Sequence, residues 1–287
     1  MTFGILTLAT RHDYKKAIGL ALSVRASNPG TPIAVACAPK LRTTLSAYFD
    51  HVVEEDPTLR GFRHKVHLDK YSPFDDTLFF DSDVLVFRNV AEKVREWANQ
   101  PYTACGIHAS DGYSSFGLDR KRVLEKIDKE SLVVIDGAGH AYFRKPGCFA
   151  VFDLAREITA KHAEYAGNIP YADEDVIDIT MTILGLSPAP HGDFFSRYCT
   201  AVPGTMEMDA TRARCEFVAA HTGSPMRPYM MHFAANEAPF PYARQLNALL
   251  KGAGASTDGI FREAFADFFD REIKTPLYKR LKGFNKR

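Results

Sequence analysis

The chain has 287 residues, with 36 Lys and Arg set against 35 Asp and Glu. That length suits one large α/β domain or two small ones, and the near-zero net charge gives no whole-chain argument for nucleic-acid binding. Five cysteines (Cys37, Cys105, Cys148, Cys199 and Cys215) without CxxC or zinc-type spacing argue against a metal module or a disulfide scaffold, and predict free thiols in a reducing compartment.

The opening "MTFGILTLATRHDYKK" lacks a charged leader followed by a long apolar core, and no apolar run approaches the roughly 20 residues that span a bilayer. A cytoplasmic location is the expectation. "FGILTLA" (3–9) reads as a fully buried strand. A helix follows from Asp13, with Tyr14, Ala17, Ile18, Ala21 and Leu22 at helical spacing, until Asn28-Pro29-Gly30 stops it. "PIAVAC" (32–37) is the second strand, Leu41–Phe49 a helix and "HVVEE" (51–55) a third strand. "TLFFDSDVLVF" (77–87) comes next, then a helix over 91–98 and a strand at "YTACGI" (102–107). Strands alternating with helices predict a mainly parallel sheet covered on both faces.

The second half is less regular. "AGHAYFRK" (138–145) reads as a strand, "CFAVFDLAREITAKHA" (148–163) as a helix, and "ADEDVIDITMTILG" (172–185) as a helix opened by acidic residues that suit its positive end. Residues 186–229 are rich in Pro, Gly, His and Ser and are expected to form loops and short strands. Without repeats or a low-complexity linker, the sequence is read as one domain over 1–250 and an appended tail over 251–287. In that tail Phe261, Phe265, Phe268 and Glu272 share one helical stripe, which Phe269 and Ile273 widen. The end, "REIKTPLYKRLKGFNKR", is strongly basic. Two outcomes are open for it: a helix packed on the body with a solvated end, or peripheral contact with an anionic membrane.

Asp81 and Asp83 stand inside the apolar run at 77–87, where an unpaired carboxylate is costly. Both fall where "TLFF" runs out at the carboxyl edge of the sheet, the place where such sheets bind ligands. An Asp-x-Asp there offers hard oxygen ligands suited to Mg²⁺ or Mn²⁺. Two carboxylates do not saturate an octahedral ion, so phosphate oxygens or another side chain must complete the shell. By themselves the residues leave cation binding, catalysis and turn capping open.

Four stretches in order resemble glycosyltransferase family 8, the glycogenin-like retaining enzymes of the GT-A fold. They are "LTLATRHDYKKAIGLALSV" (6–24), "RHKVHLDKYSPFDDTLFFDSDVLVFRNV" (63–90), "YADEDVID" (171–178) and "MHFAANEAPF" (231–240). The likeness covers roughly residues 3–242. It implies a GT-A architecture, with a Rossmann-like nucleotide-binding sheet and a less regular acceptor-binding half. It also implies a metal-dependent enzyme that moves a sugar from a UDP-sugar to a hydroxyl of a glycan or glycoconjugate, with retention.

Carried over, the donor-binding residues are Leu8, Thr10, Arg11, Tyr14, Lys65, Asp81, Ser82 and Asp83. Asp81, Asp83 and His232 would hold Mn²⁺ or Mg²⁺, and Asp173 and Glu174 would lie beside the donor sugar as catalytic residues. Each has a plainer alternative: His232 as a core histidine, Tyr14 packed on the sheet, Lys65 at the surface, Asp173 as a helix cap. The chain departs from the family's HxxGxxKPW at Ala235 and Ala238, losing the lysine that grips diphosphate. Its Glu174 stands for the usual glutamine, Asp178 for a frequent asparagine, and "GAG" (137–139) for "NSG".

Three rivals compete with this reading. A haloacid-dehalogenase-type phosphatase wants Thr two residues after the second Asp, where this chain has Leu85. A nucleotidylyltransferase wants a glycine-rich loop after the first strand, and "LATRHDYKK" has no glycine. A non-catalytic nucleotide-sugar or glycan-binding domain would explain the lost lysine, though not the retained Asp81, Asp83 and His232.

Overall fold

A computed structural model of the chain describes residues 2–9, 12–137, 139–234 and 238–274. Its contacts divide the chain into two compact units. The first takes Met1–Ala17, Gly30–Ser82 and Val90–Gly192, and the second takes Ile18–Pro29, Asp83–Asn89 and Asp193–Arg287.

The first unit is built on a six-stranded sheet in the order His51–Glu54, Ile33–Cys37, Phe3–Ala9, Asp76–Phe80, His140–Arg144, Tyr102–Thr103. The first four run parallel, and His140–Arg144 lies antiparallel to both of its neighbours. Near-continuous Val, Ile, Leu, Ala and Phe in the central strands match burial on both faces, as parallel sheets require. Ile5, Leu6, Val35, Leu78 and Phe79 are all buried. Gly4 is fixed by packing, because a Cβ there would lie 2.3 Å from the Phe74 ring.

The helix Cys148–Ala160 covers one face through Phe152, whose ring meets Phe143 and Tyr102 edge-on. Its Arg156 donates to the Val66 carbonyl at 3.0 Å and to Asp69 Oδ1 at 2.8 Å, which fixes the 3₁₀ segment Gly61–His67. Gly106–Ala109 and Leu132–Ile135 pair antiparallel, and the helix Asp173–Ile183 packs on Leu132–Ile135. There the Val133 N–H donates to Thr182 Oγ1 and the Ile135 N–H to Asp178 Oδ1, at 2.8 and 2.9 Å.

The second unit carries a three-stranded sheet in the order Phe195–Arg197, Met230–His232, Val84–Val86. An antiparallel set, Glu207–Asp209, Arg214–Val218 and Pro225–Met226, falls between its first two strands in sequence. The helices Pro239–Gly252 and Ile260–Phe269 meet through Phe240 and Phe268, with ring centroids 5.7 Å apart.

Several elements differ from the sequence reading. "TLFFDSDVLVF" is two strands in two sheets, Asp76–Phe80 and Val84–Val86, because the acidic turn breaks it. Leu41–Phe49 holds a 3₁₀ turn (Pro39–Leu41) and a short helix, Arg42–Leu45, rather than one longer helix. The helix expected to reach 163 stops at Ala160, and His162–Ala166 forms a separate turn of helix. The helices Arg120–Ile127 and Pro239–Gly252 and the strand Leu132–Ile135 have no counterpart in that reading. No described helix is long and apolar enough to cross a membrane.

Candidate functional site

Asp81 follows directly on the strand Asp76–Phe80, at its carboxyl end. Its backbone N–H donates to the Gly139 carbonyl at 2.9 Å, which holds the chain as it leaves the sheet. Lys65, on the segment clamped by Arg156, donates to Asp81 Oδ2 at 2.8 Å and lies 3.3 Å from Asp173 Oδ2. The Lys65 side chain is only 11% exposed. Burial alone would pull its ammonium toward neutrality, but the carboxylates of Asp173 and Asp81 outweigh this and hold it above the ordinary lysine value. The lysine therefore stays charged, and its charge compensates two acids from distant parts of the sequence.

Asp173 opens an eleven-residue helix whose first turn also holds Glu174 and Asp175. Burial, reinforced by Asp173, Asp175 and Asp136, pushes the Glu174 carboxyl up to about 7, against a smaller opposing pull from Lys65. Burial likewise raises Asp175, which is inaccessible to solvent, against the lowering influence of Ser114 and Arg120. Asp178 is raised well above the ordinary carboxylate value by burial, despite the hydrogen bond that it accepts from Ile135. Asp136, which acts on Glu174, also lies 3.4 Å from the His191 ring. Residues 132–136 carry little signal in the sequence, where "SLVVIDG" offers only a short apolar run before an acid.

In the second unit the antiparallel ladder pairs His232 with Val84, and the Phe233 N–H donates to the Asp83 carbonyl at 3.1 Å. That register brings His232 Nε2 to 3.1 Å from Asp83 Oδ1. The imidazole is buried, and its ring meets Phe195 edge-on. Asp81 and Asp83 flank Ser82 in one turn, so their spacing is set by two peptide bonds. Asp83 and His232 thus meet within the second unit, and Asp81 precedes Asp83 by two residues in the chain. Two carboxylates and an imidazole are hard and borderline donors that suit Mn²⁺ or Mg²⁺.

Leu8, near the end of the strand Phe3–Ala9, is partly buried against the hydrophobic core. Tyr14 is half-buried and begins the helix Tyr14–Ser27. Thr10, Arg11 and Ala235 lie outside the described residues, as do 275–287 of the basic tail. Ala238, where the family motif has lysine, adopts a left-handed conformation (φ 49°) just before the helix Pro239–Gly252.

Neither the models of known families nor the curated proteins match this sequence. Solved structures do match its fold. The galactosyltransferase LgtC, in complex with donor and acceptor sugar analogs, is similar with a TM-score of 0.56 at 16% identity, over 87% of this chain and 95% of that one. The bifunctional glycosyltransferase WbbM matches with a TM-score of 0.58 at 12% identity, over 93% of this chain and 51% of that one. Mouse xyloside xylosyltransferase 1 matches with a TM-score of 0.50 at 13% identity, over 83% of this chain and 99% of that one. The chain has the fold of the GT-A glycosyltransferases. The mainly parallel sheet expected from the sequence is the centre of that fold.

Proposed function

We propose that this protein is a metal-dependent glycosyltransferase that moves a sugar from a UDP-sugar to a hydroxyl of a glycan or glycoconjugate, with retention. The observation that carries the reading is the acidic pair Asp81 and Asp83 directly after a strand of a GT-A sheet, with His232 3.1 Å from Asp83. Supporting it on the partner side, the galactosyltransferase LgtC accommodates donor and acceptor sugar analogs. Asp81, Asp83 and His232 would hold Mn²⁺ or Mg²⁺, which when bound neutralises the charge that develops on the departing UDP.

The chain's own residues do the rest. Lys65 pairs with Asp81 and Asp173 and orients them, at 2.8 and 3.3 Å. Asp173 and Glu174 face the donor sugar and accept hydrogen bonds from its hydroxyls, with Asp173 offsetting positive charge at the anomeric carbon. Glu174, with its carboxyl pushed up to about 7, carries a proton in part of the molecules at neutral pH and also donates. Leu8, Thr10, Arg11, Tyr14 and Ser82 line the nucleotide. The bond from the anomeric carbon to the diphosphate breaks and a bond to the acceptor oxygen forms on the same face. The acceptor's proton passes to the leaving diphosphate. Peripheral membrane contact through the basic tail belongs to the same reading.

The test is a panel of nucleotide-sugars scored by thermal unfolding with and without MnCl₂. At least one UDP-sugar is expected to raise the Tm in a manganese-dependent way. A panel in which no UDP-sugar stabilises the protein, or in which EDTA leaves the stabilisation unchanged, overturns the proposal. Release of phosphate from a generic phosphomonoester would instead favour the phosphatase chemistry.

A further inference from the structure

A single exposed ring on a protein surface needs no explanation, but Phe62 differs in what lies against it. The side chain is 50% exposed, yet the Lys65 ammonium lies 5.6 Å from its ring centroid and 5.9 Å from that of the buried Phe79. That ammonium is the cation that meets Asp81 Oδ2 at 2.8 Å and Asp173 Oδ2 at 3.3 Å. Phe62 therefore borders the charged bridge of the candidate site while half of its surface stays open to solvent. The segment that carries it is held on both sides. Gly61, left-handed at φ 53°, turns the chain just before the ring, in a conformation that residues with a Cβ rarely adopt. The Arg63 guanidinium lies 4.6 Å from the ring centroid of Tyr171, two residues before Asp173, and Arg156 grips the Val66 carbonyl. Little further ordering of this segment is then needed for a ligand to settle on the ring.

Under the sugar-transfer reading, the residues assigned so far all serve the donor, and none serves the acceptor. With retention, the acceptor hydroxyl approaches on the face from which the diphosphate leaves. The rest of the acceptor then lies at the open rim of the bridge formed by Asp81, Lys65 and Asp173, where Phe62 is exposed. An aromatic face is apolar and carries the negative side of its quadrupole. The C–H face of a pyranose is apolar with weakly positive hydrogens, so the two stack. The hydroxyls at the edge of the same sugar suit the charged groups around the ring, Arg63 and Lys65, whereas a phenol or a serine side chain offers a single hydroxyl. We infer that Phe62 is the stacking platform for the acceptor and that the acceptor is a pyranose, so that the hydroxyl glycosylated belongs to a glycan and not to a protein side chain. The inference rests on the sugar-transfer reading and adds to it the acceptor class and a residue that selects it.

The experiment follows UDP release by the full chain with MnCl₂ and each UDP-sugar of the panel. The acceptors offered are methyl pyranosides of glucose, galactose, mannose and N-acetylglucosamine, or N-acetyltyrosinamide and N-acetylserinamide. At least one pyranoside is expected to accelerate UDP release saturably. Phe62→Ala should raise the KM for that pyranoside about tenfold, the scale of uncovering one aromatic face, with a smaller effect on the KM for the UDP-sugar. Phe62→Trp, which keeps a flat ring, should bring the pyranoside KM back to within about threefold of the native value. A native pyranoside KM in Phe62→Ala overturns the inference, as does a loss that falls equally on the donor KM or that Phe62→Trp fails to repair. Acceleration by the tyrosine or serine amide and by no pyranoside overturns it too. In each of these cases UDP-sugar turnover survives, so the sugar-transfer reading stands; absence of turnover with every UDP-sugar overturns both.

Discussion

Two groups of carboxylates, at 81–83 and at 173–178, receive opposite treatment. At the first, each acid has a basic partner: Lys65 on Asp81 and His232 on Asp83. At the second, Asp173 shares the lysine, while Glu174, Asp175 and Asp178 lie close together and burial drives their carboxyls upward. The same residue type is thus paired with a base in one place and biased toward the proton in the other. Environment decides this, because compensation lowers the cost of a buried charge and crowding raises it.

Breaking the first group is expected to have the largest effect. Asp83→Ala should lower manganese-dependent UDP-sugar hydrolysis on the order of a thousandfold, the scale lost when one electrostatic stabiliser is removed. The backbone contact from Phe233 to the Asp83 carbonyl survives the change, so circular dichroism should report an intact fold. Hydrolysis at the native rate in this variant would take the acidic pair out of the mechanism.

Lys65→Met tests the compensation itself. It leaves Asp81 and Asp173 without the cation they share, and the expected loss of stability at neutral pH is about 3 kcal/mol by urea unfolding. A variant as stable as the native protein would mean that the lysine is not what tolerates these charges.

The second group is sharpened by Glu174→Gln. The folded carboxyl sits at about 7 against an ordinary 4.5, so between these values the folded state holds a proton that the unfolded chain has already released. Stability contributed by this residue is therefore intact below pH 4.5 and falls as pH rises toward 7. Removing the titration should stabilise the protein at pH 8 by up to about 3.5 kcal/mol, since each pH unit separating folded from unfolded titration is worth about 1.4 kcal/mol, and should change little at pH 4. Equal effects at both pH values would show that Glu174 titrates normally. The smallest effect is expected at Ser82, which carries no charge between the two aspartates. Ser82→Ala should weaken UDP-sugar binding by no more than about threefold, the scale of one neutral hydrogen bond.

Parts of this arrangement are legible in the sequence. The apolar strands at 3–9 and 33–37 read as buried because parallel strands are covered on both faces, and the acidic helix start at 173 is visible as a cluster of Asp and Glu before an apolar run. Asp81 and Asp83 stand out because charges are rare in such a run. The strand Leu132–Ile135 escapes notice because four apolar residues carry too little periodicity, and the helix Pro239–Gly252 because two prolines in its first turn read as a break. The division of 77–87 between two sheets is hidden, since side-chain type along a strand says nothing of which sheet it joins.

By itself the sequence determined the parallel sheet, the place of the acidic pair at its edge and the aromatic stripe near the end, because each is a periodicity or composition written in neighbouring residues. The tertiary structure alone decided that Lys65 meets both Asp81 and Asp173, that the ladder at 230–232 lays His232 against Asp83, and that Glu174 is half-buried among other acids. Those outcomes depend on distances between segments remote in the chain and on the water excluded around them, and neither quantity is carried by local order.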